Sequence, residues 1–141
     1  GKGARENQLK ERAANLPNVR FLPFQPAERV AEVYSLGDCC AVMCKKGTGG
    51  IGVPSKTWTI MACARPLLVS FDAGELCDLV HSKQVGICSP AGDAQALADS
   101  IKQLQVNNQY GDNARRLVVE KYNKHIATDR YVELIRSVTA Q

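Results

Sequence analysis

Six consecutive apolar residues, Cys39 to Cys44, run directly into Lys45-Lys46-Gly47-Thr48-Gly49-Gly50-Ile51-Gly52, where four of the chain's eleven glycines fall within six positions. An uninterrupted apolar run fits a strand covered on both faces, as parallel sheets require, because a half-exposed strand alternates instead. The cluster behind it is a loop, since glycine inside a helix or strand loses the most conformational freedom on folding. Val53-Pro54-Ser55 then leads into an apolar helix reaching about Ala64, with Pro54 or Ser55 marking its start. A buried strand, a glycine loop and an apolar helix in that order restrict the chain to architectures in which strands are joined through helical crossovers.

The rest of the sequence keeps this alternation. Residues 4–16 carry a weak helical stripe, Leu9, Ala13 and Leu16, which Pro17-Asn18 terminates. Val19 to Phe24 is rich in strand formers, and Gln25-Pro26 starts a helix with Val30, Val33 and Tyr34 on one face and Gly37 at its end. Pro66 to Ser70 reads as a third buried strand, Phe71 to Gly74 as a turn, Glu75 to about His81 as a short helix and Val85 to Cys88 as a short strand. Asp93 caps a helix with Ala94, Leu97, Ile101 and Leu104 at helical spacing, stopping near Asn107-Asn108. Two helices close the chain, Asp112 to Tyr122 and about Ala127 to Val138. The reading is an α/β fold, a Rossmann-like doubly wound parallel sheet, with 1–141 as a single domain. The opening Gly1-Lys2-Gly3 resembles a strand-to-helix connection and there is no initiator Met, so a strand is expected to precede Gly1 and the chain is expected to be a fragment.

Composition excludes several classes. With 45% apolar and 23% charged residues, 141 residues of this mix build a hydrophobic core. A formal charge of +4 suits anionic ligands without marking a nucleic-acid protein. No apolar run approaches the roughly 20 residues that cross a bilayer, and the residues from Gly1 onward do not follow a signal-peptide pattern, so a cytoplasmic location is expected. Six cysteines, several in apolar runs, are expected as reduced core thiols, and no paired ligands suggest a structural metal. Trp58 and Met61 are expected in the core and His81 and His125 on the surface, while Arg65 before Pro66 is as suited to helix-end carbonyls as to a ligand. Arg115-Arg116, Lys121 and Lys124 read as a solvated face.

In a doubly wound sheet, ligands bind outside the carboxyl ends of the strands. That directs attention to residues 45–56, where loop amides, a helix start, three lysines and the Ser55 hydroxyl could hold a phosphate or diphosphate. The pattern is neither a P-loop nor the dinucleotide fingerprint, and a flexible loop with solvated lysines stands as the alternative.

Gly1-Lys2-Gly3, Leu16-Pro17-Asn18-Val19-Arg20-Phe21-Leu22-Pro23, the glycine loop, Pro54-Ser55-Lys56 with Ile60-Met61-Ala62-Cys63-Ala64-Arg65-Pro66, and Gly74-Glu75-Leu76 follow one another in an order that resembles the C-terminal half of a GT-B glycosyltransferase of family 4. The similarity is greatest to the bacterial branch of surface polysaccharide synthesis and spans nearly the whole chain. It implies a donor-binding half that takes a nucleotide diphosphate sugar, with the acceptor held by a missing N-terminal domain. It also implies sugar transfer to a hydroxyl with retention, without metal or cofactor and without a firmly established protein nucleophile. By position, Gly49, Gly50, Gly52, Ser55 and Lys56 match diphosphate contacts, and Leu22 and Pro23 match the stretch that touches the base. Thr59 and Ile51 stand where many relatives carry the two glutamates of an E-x7-E motif, and Glu75 is a candidate to approach the sugar or ribose from the next loop. Two other classes remain, a nucleotide-sugar epimerase fragment and a non-catalytic phosphate- or nucleotide-binding α/β module. Beyond the donor, the reading admits peripheral membrane contact of the full-length protein and self-association through an uncovered sheet edge, and it expects the isolated chain to be inactive.

Overall fold

A computed structural model describes residues 3–48, 52–104 and 109–139. Three parallel strands, β1 (Cys40–Met43), β2 (Leu67–Ser70) and β3 (Gly86–Ser89), form a sheet in the order β1-β2-β3. Cys40 faces Leu67 and Met43 faces Ser70 in the first pair, while Leu67 faces Gly86 and Ser70 faces Ser89 in the second. Helix α1 (Glu6–Arg12) opens the described chain, and a 3-10 turn over Ala27–Arg29 precedes α2 (Val30–Ser35). Helix α3 (Lys56–Ala62) connects β1 to β2, and α4 (Glu75–Lys83) connects β2 to β3. Then come α5 (Ala94–Leu104), α6 (Gln109–Leu117), a π-helical turn (Val118–Tyr122) and α7 (Lys124–Thr139). This is the expected α/β architecture, with a three-stranded parallel sheet flanked by helices. The expected helix stop at Asn107-Asn108 lies outside the described residues.

One strand expectation fails and another is modified. Val19 to Phe24 has no strand partner among the described residues and runs as irregular chain, with Phe24 68% exposed. Strand-forming side chains cannot make a strand without a neighbour to take the backbone hydrogen bonds. For the same reason β1 is an edge strand: only Val42 is buried, and Met43 is 49% exposed. The fully buried strand is β2, which has a neighbour on each side.

The core joins the sheet to α3, α4 and α6 through Val42, Ile60, Met61, Leu67, Val69, Leu76, Val80 and Leu117. Met61 is fully buried, and Trp58 packs against this core and stacks on Tyr122 of the π-helical turn, with ring centroids 4.7 Å apart. Both therefore serve packing, as expected. Of the two roles open to Arg65, the helix-end one is taken by another residue. Arg115, from α6, donates to the Ala62 carbonyl, whereas the buried Arg65 Nε has no partner among the described residues. Asn113, also on α6, donates to Gln84 O at 3.0 Å behind α4, so one helix fastens the ends of two others. Gly111 allows that approach, since a side chain there would run into the Ala64 carbonyl.

The cysteines divide. Cys39, Cys40, Cys44 and Cys63 are free thiols, and burial raises Cys39 and Cys40 above the ordinary thiol value, which keeps them protonated at neutral pH. Cys77 and Cys88 are joined by a disulfide, contrary to the expectation of six reduced thiols. Helix α4 packs on β3, and this brings the two Cα atoms to 5.7 Å although eleven positions separate the residues in sequence.

Candidate functional site

Because all three strands are parallel, their carboxyl ends meet on one side of the sheet, and the ladder carries the alignment one residue further. Cys44 N donates to Ser70 O at 2.9 Å, and Phe71 N donates to Ser89 O at 3.0 Å. The segments that leave β1, β2 and β3 therefore start side by side. The Ser70 hydroxyl donates to Pro90 O at 3.4 Å, and the Ser89 hydroxyl to Val69 O at 3.2 Å.

The segment after β1 is a tight turn. Thr48 N donates to Lys45 O at 3.1 Å, and the Thr48 hydroxyl donates to the same carbonyl at 2.6 Å. The Cys44 sulfur lies 2.8 Å from Thr48 Oγ1 and secures the base of the turn. Gly47 has φ +81°, the left-handed value that glycine takes at the third position of a type II turn. Its N–H donates to Oδ2 of Asp72, at 2.6 Å, in the segment after β2. Lys46 reaches towards the segment after β3, its Cβ close to where a side chain on Gly92 would start. A cavity of about 160 Å³ opens at this end, lined by Met43, Ser70, Gly92, Asp93, Ala94 and Leu97. Asp93 accepts from Ala96 N at 2.9 Å and so caps α5, as its sequence position suggested.

Of the residues singled out from sequence, Gly49, Gly50 and Ile51 lie outside the described residues. Gly52 has φ +122° and open space where a side chain would start, so its backbone is approachable. Ser55 occupies the position before α3, but its hydroxyl makes no capping hydrogen bond. Lys56, the first residue of α3, is exposed, and among the described residues neither it nor Lys45 or Lys46 forms an ion pair. Thr59 is partly buried three positions further along the helix, and Glu75 is exposed at the start of α4, behind Gly74. Leu22 and Pro23 lie elsewhere, along a groove of about 510 Å³ with Glu6, Lys10, Arg20 and Phe21. No residue from the strand ends lines that groove. The Glu6–Lys10 ion pair, 2.7 Å long, lies in it. The sequence reading missed Asp72, Cys44 and Thr48. Asp72 could have been suspected from its place in the turn behind a parallel strand, but its partner 25 positions away leaves no mark on local sequence.

This arrangement, a glycine turn with unpaired lysines at the carboxyl end of a parallel sheet, coincides with a family match. The model of the glycosyl transferases group 1 family matches residues 1–107. The chain belongs to that family. Among curated relatives, WbjE of Pseudomonas aeruginosa, named as a probable glycosyltransferase, is 25% identical over 147 residues, covering 100% of this chain and 36% of that protein. WcaI of Escherichia coli K12, provisionally named as a colanic acid biosynthesis glycosyl transferase, is 24% identical over 140 residues, covering 96% of this chain and 33% of that protein. The chain thus spans about a third of the length of these curated relatives. No solved structure matches it. Among the described residues no helix of this group 1 chain is long and apolar enough to cross a membrane.

Proposed function

We propose that this chain is the donor-binding part of a glycosyltransferase that moves a sugar from a nucleoside diphosphate to an acceptor hydroxyl in polysaccharide synthesis. The observation that carries the reading is the Lys45–Thr48 turn, which stands at the carboxyl end of β1 in a group 1 family chain and itself carries Lys45 and Lys46, neither in an ion pair among the described residues. The diphosphate would lie against the loop amides around Gly49, Gly50 and Gly52, with the Ser55 hydroxyl, which caps no helix, and Lys56 completing the contacts. Charge that develops on the departing diphosphate would be met by these donors, and stabilising such developing charge is usually the largest single contribution to lowering the barrier.

The reaction is taken as retaining and independent of metal. The acceptor is assigned to a further domain, whose role is to hold the hydroxyl in line with the anomeric carbon. Thr59 and Glu75 are the candidates for the sugar and ribose side. Leu22 and Pro23, in the groove they line with Arg20 and Phe21, are the candidates for the base. Action at the cytoplasmic face of a membrane belongs to the same proposal.

Titration of the chain with UDP, GDP and ADP, followed by amide NMR, tests it. Shifts centred on residues 47–59 are expected with one of the three, and Lys56→Ala should weaken that affinity about tenfold, the scale of a lost charge-assisted contact. Shifts confined to other surfaces, or an unaltered affinity in the variant, would overturn the assignment.

A further inference from the structure

Resting on the donor-loop reading above, we propose that Asp72 is the positioning residue that holds the glycine turn ready for the diphosphate. The turn over residues 45–48 closes on itself through the two bonds to Lys45 O and is secured at its base by Cys44, but these contacts all lie within the segment leaving β1 and do not join the turn to the segment after β2. The space where a side chain on Gly47 would begin is open, with nothing within 4 Å, so no packing on that side holds the turn. Among the described residues, the hydrogen bond that ties Gly47 to the neighbouring strand's segment is the one from its N–H to Asp72 Oδ2, 2.6 Å long and bridging 25 positions.

A carboxylate is a strong acceptor for a backbone amide. Its charge is otherwise costly here, because it stands beside a site proposed for an anion and pairs with none of the three lysines among the described residues. A group that repels the ligand yet fixes the turn acts by pre-organisation: the turn is held before binding, so less conformational freedom is lost when the diphosphate arrives.

The test separates charge from tether. Asp72→Asn removes the charge and keeps an acceptor at the same place, whereas Asp72→Ala removes both. The two variants are equally neutral, so any difference between them reports the hydrogen bond. Whichever of UDP, GDP or ADP binds the wild-type chain should bind Asp72→Asn at least as well, and should bind Asp72→Ala about tenfold more weakly than Asp72→Asn. The corresponding nucleoside, lacking phosphates, should not distinguish the variants, which a general structural defect would not spare. Independently of any ligand, the Gly47 amide proton should move upfield and exchange faster in Asp72→Ala, and keep its protection in Asp72→Asn. Equal diphosphate affinities in the two variants, or a Gly47 amide indifferent to both, would overturn the proposal. A wild-type chain that binds none of the diphosphates while its Gly47 amide follows the expected order sinks the donor reading and supports the tether.

Discussion

Thr57 shows how finely single atoms matter in this chain. It is fully buried on α3, yet its hydroxyl has no hydrogen-bond partner among the described residues. An unpaired buried hydroxyl has lost its water without compensation, at a cost of about 1 kcal/mol or more. Thr57→Val keeps the shape and removes the orphaned group, so it should raise stability by about 1 kcal/mol and the melting temperature by roughly 3 °C. Calorimetry of the two chains decides the matter, and a lower melting temperature would mean that the hydroxyl has a partner. Local sequence gave no sign of this, because Thr57 stands between Lys56 and Trp58 with no mark of its burial. By contrast, the capping role of Asp93 was legible at once. A cap is a contact over three residues, and the sequence carries both partners.

At the level of elements, the connection between helices depends on a glycine. Helix α6 crosses the end of α3 so closely that a methyl group on Gly111 would collide with the backbone carbonyl of Ala64, which has no flexible end to move aside. Gly111→Ala should therefore destabilise the fold by about 1–3 kcal/mol, the usual cost of overpacking, even though alanine is the better helix former. Urea unfolding provides the measurement, and unchanged stability would show that α6 can shift without loss. The helices themselves were legible from their apolar spacing, with α6 starting three residues earlier than the Asp112 expected and α7 starting at Lys124. Asn123 accounts for the earlier start of α7, since its side chain accepts from Ile126 N at 3.1 Å. The π-helical turn at Val118–Tyr122 was not legible. Its role is to place Tyr122 on Trp58, and that partner comes from 64 positions away.

At the level of the whole molecule, two apolar surfaces have no cover among the described residues. The outer edge of β1 is unpaired, and α7 buries none of its residues, leaving Tyr131, Leu134, Ile135 and Val138 exposed at helical spacing. An open edge strand is a template for another chain. Sedimentation of the isolated chain should accordingly show reversible self-association that grows with concentration, and a strict monomer across the range would refute it. What the sequence determined by itself was the order of elements and the loop behind β1, because apolar period, glycine and proline act over a few residues. The family resemblance was readable for the same reason, its motifs being short and in order. Only the tertiary structure decided that Val19 to Phe24 is not a strand, that β2 rather than β1 is central, that Cys77 meets Cys88, and that Asp72 holds Gly47. Each of these depends on which distant segment supplies the other half of a backbone ladder, a disulfide or a hydrogen bond, and a one-dimensional pattern does not encode that choice locally.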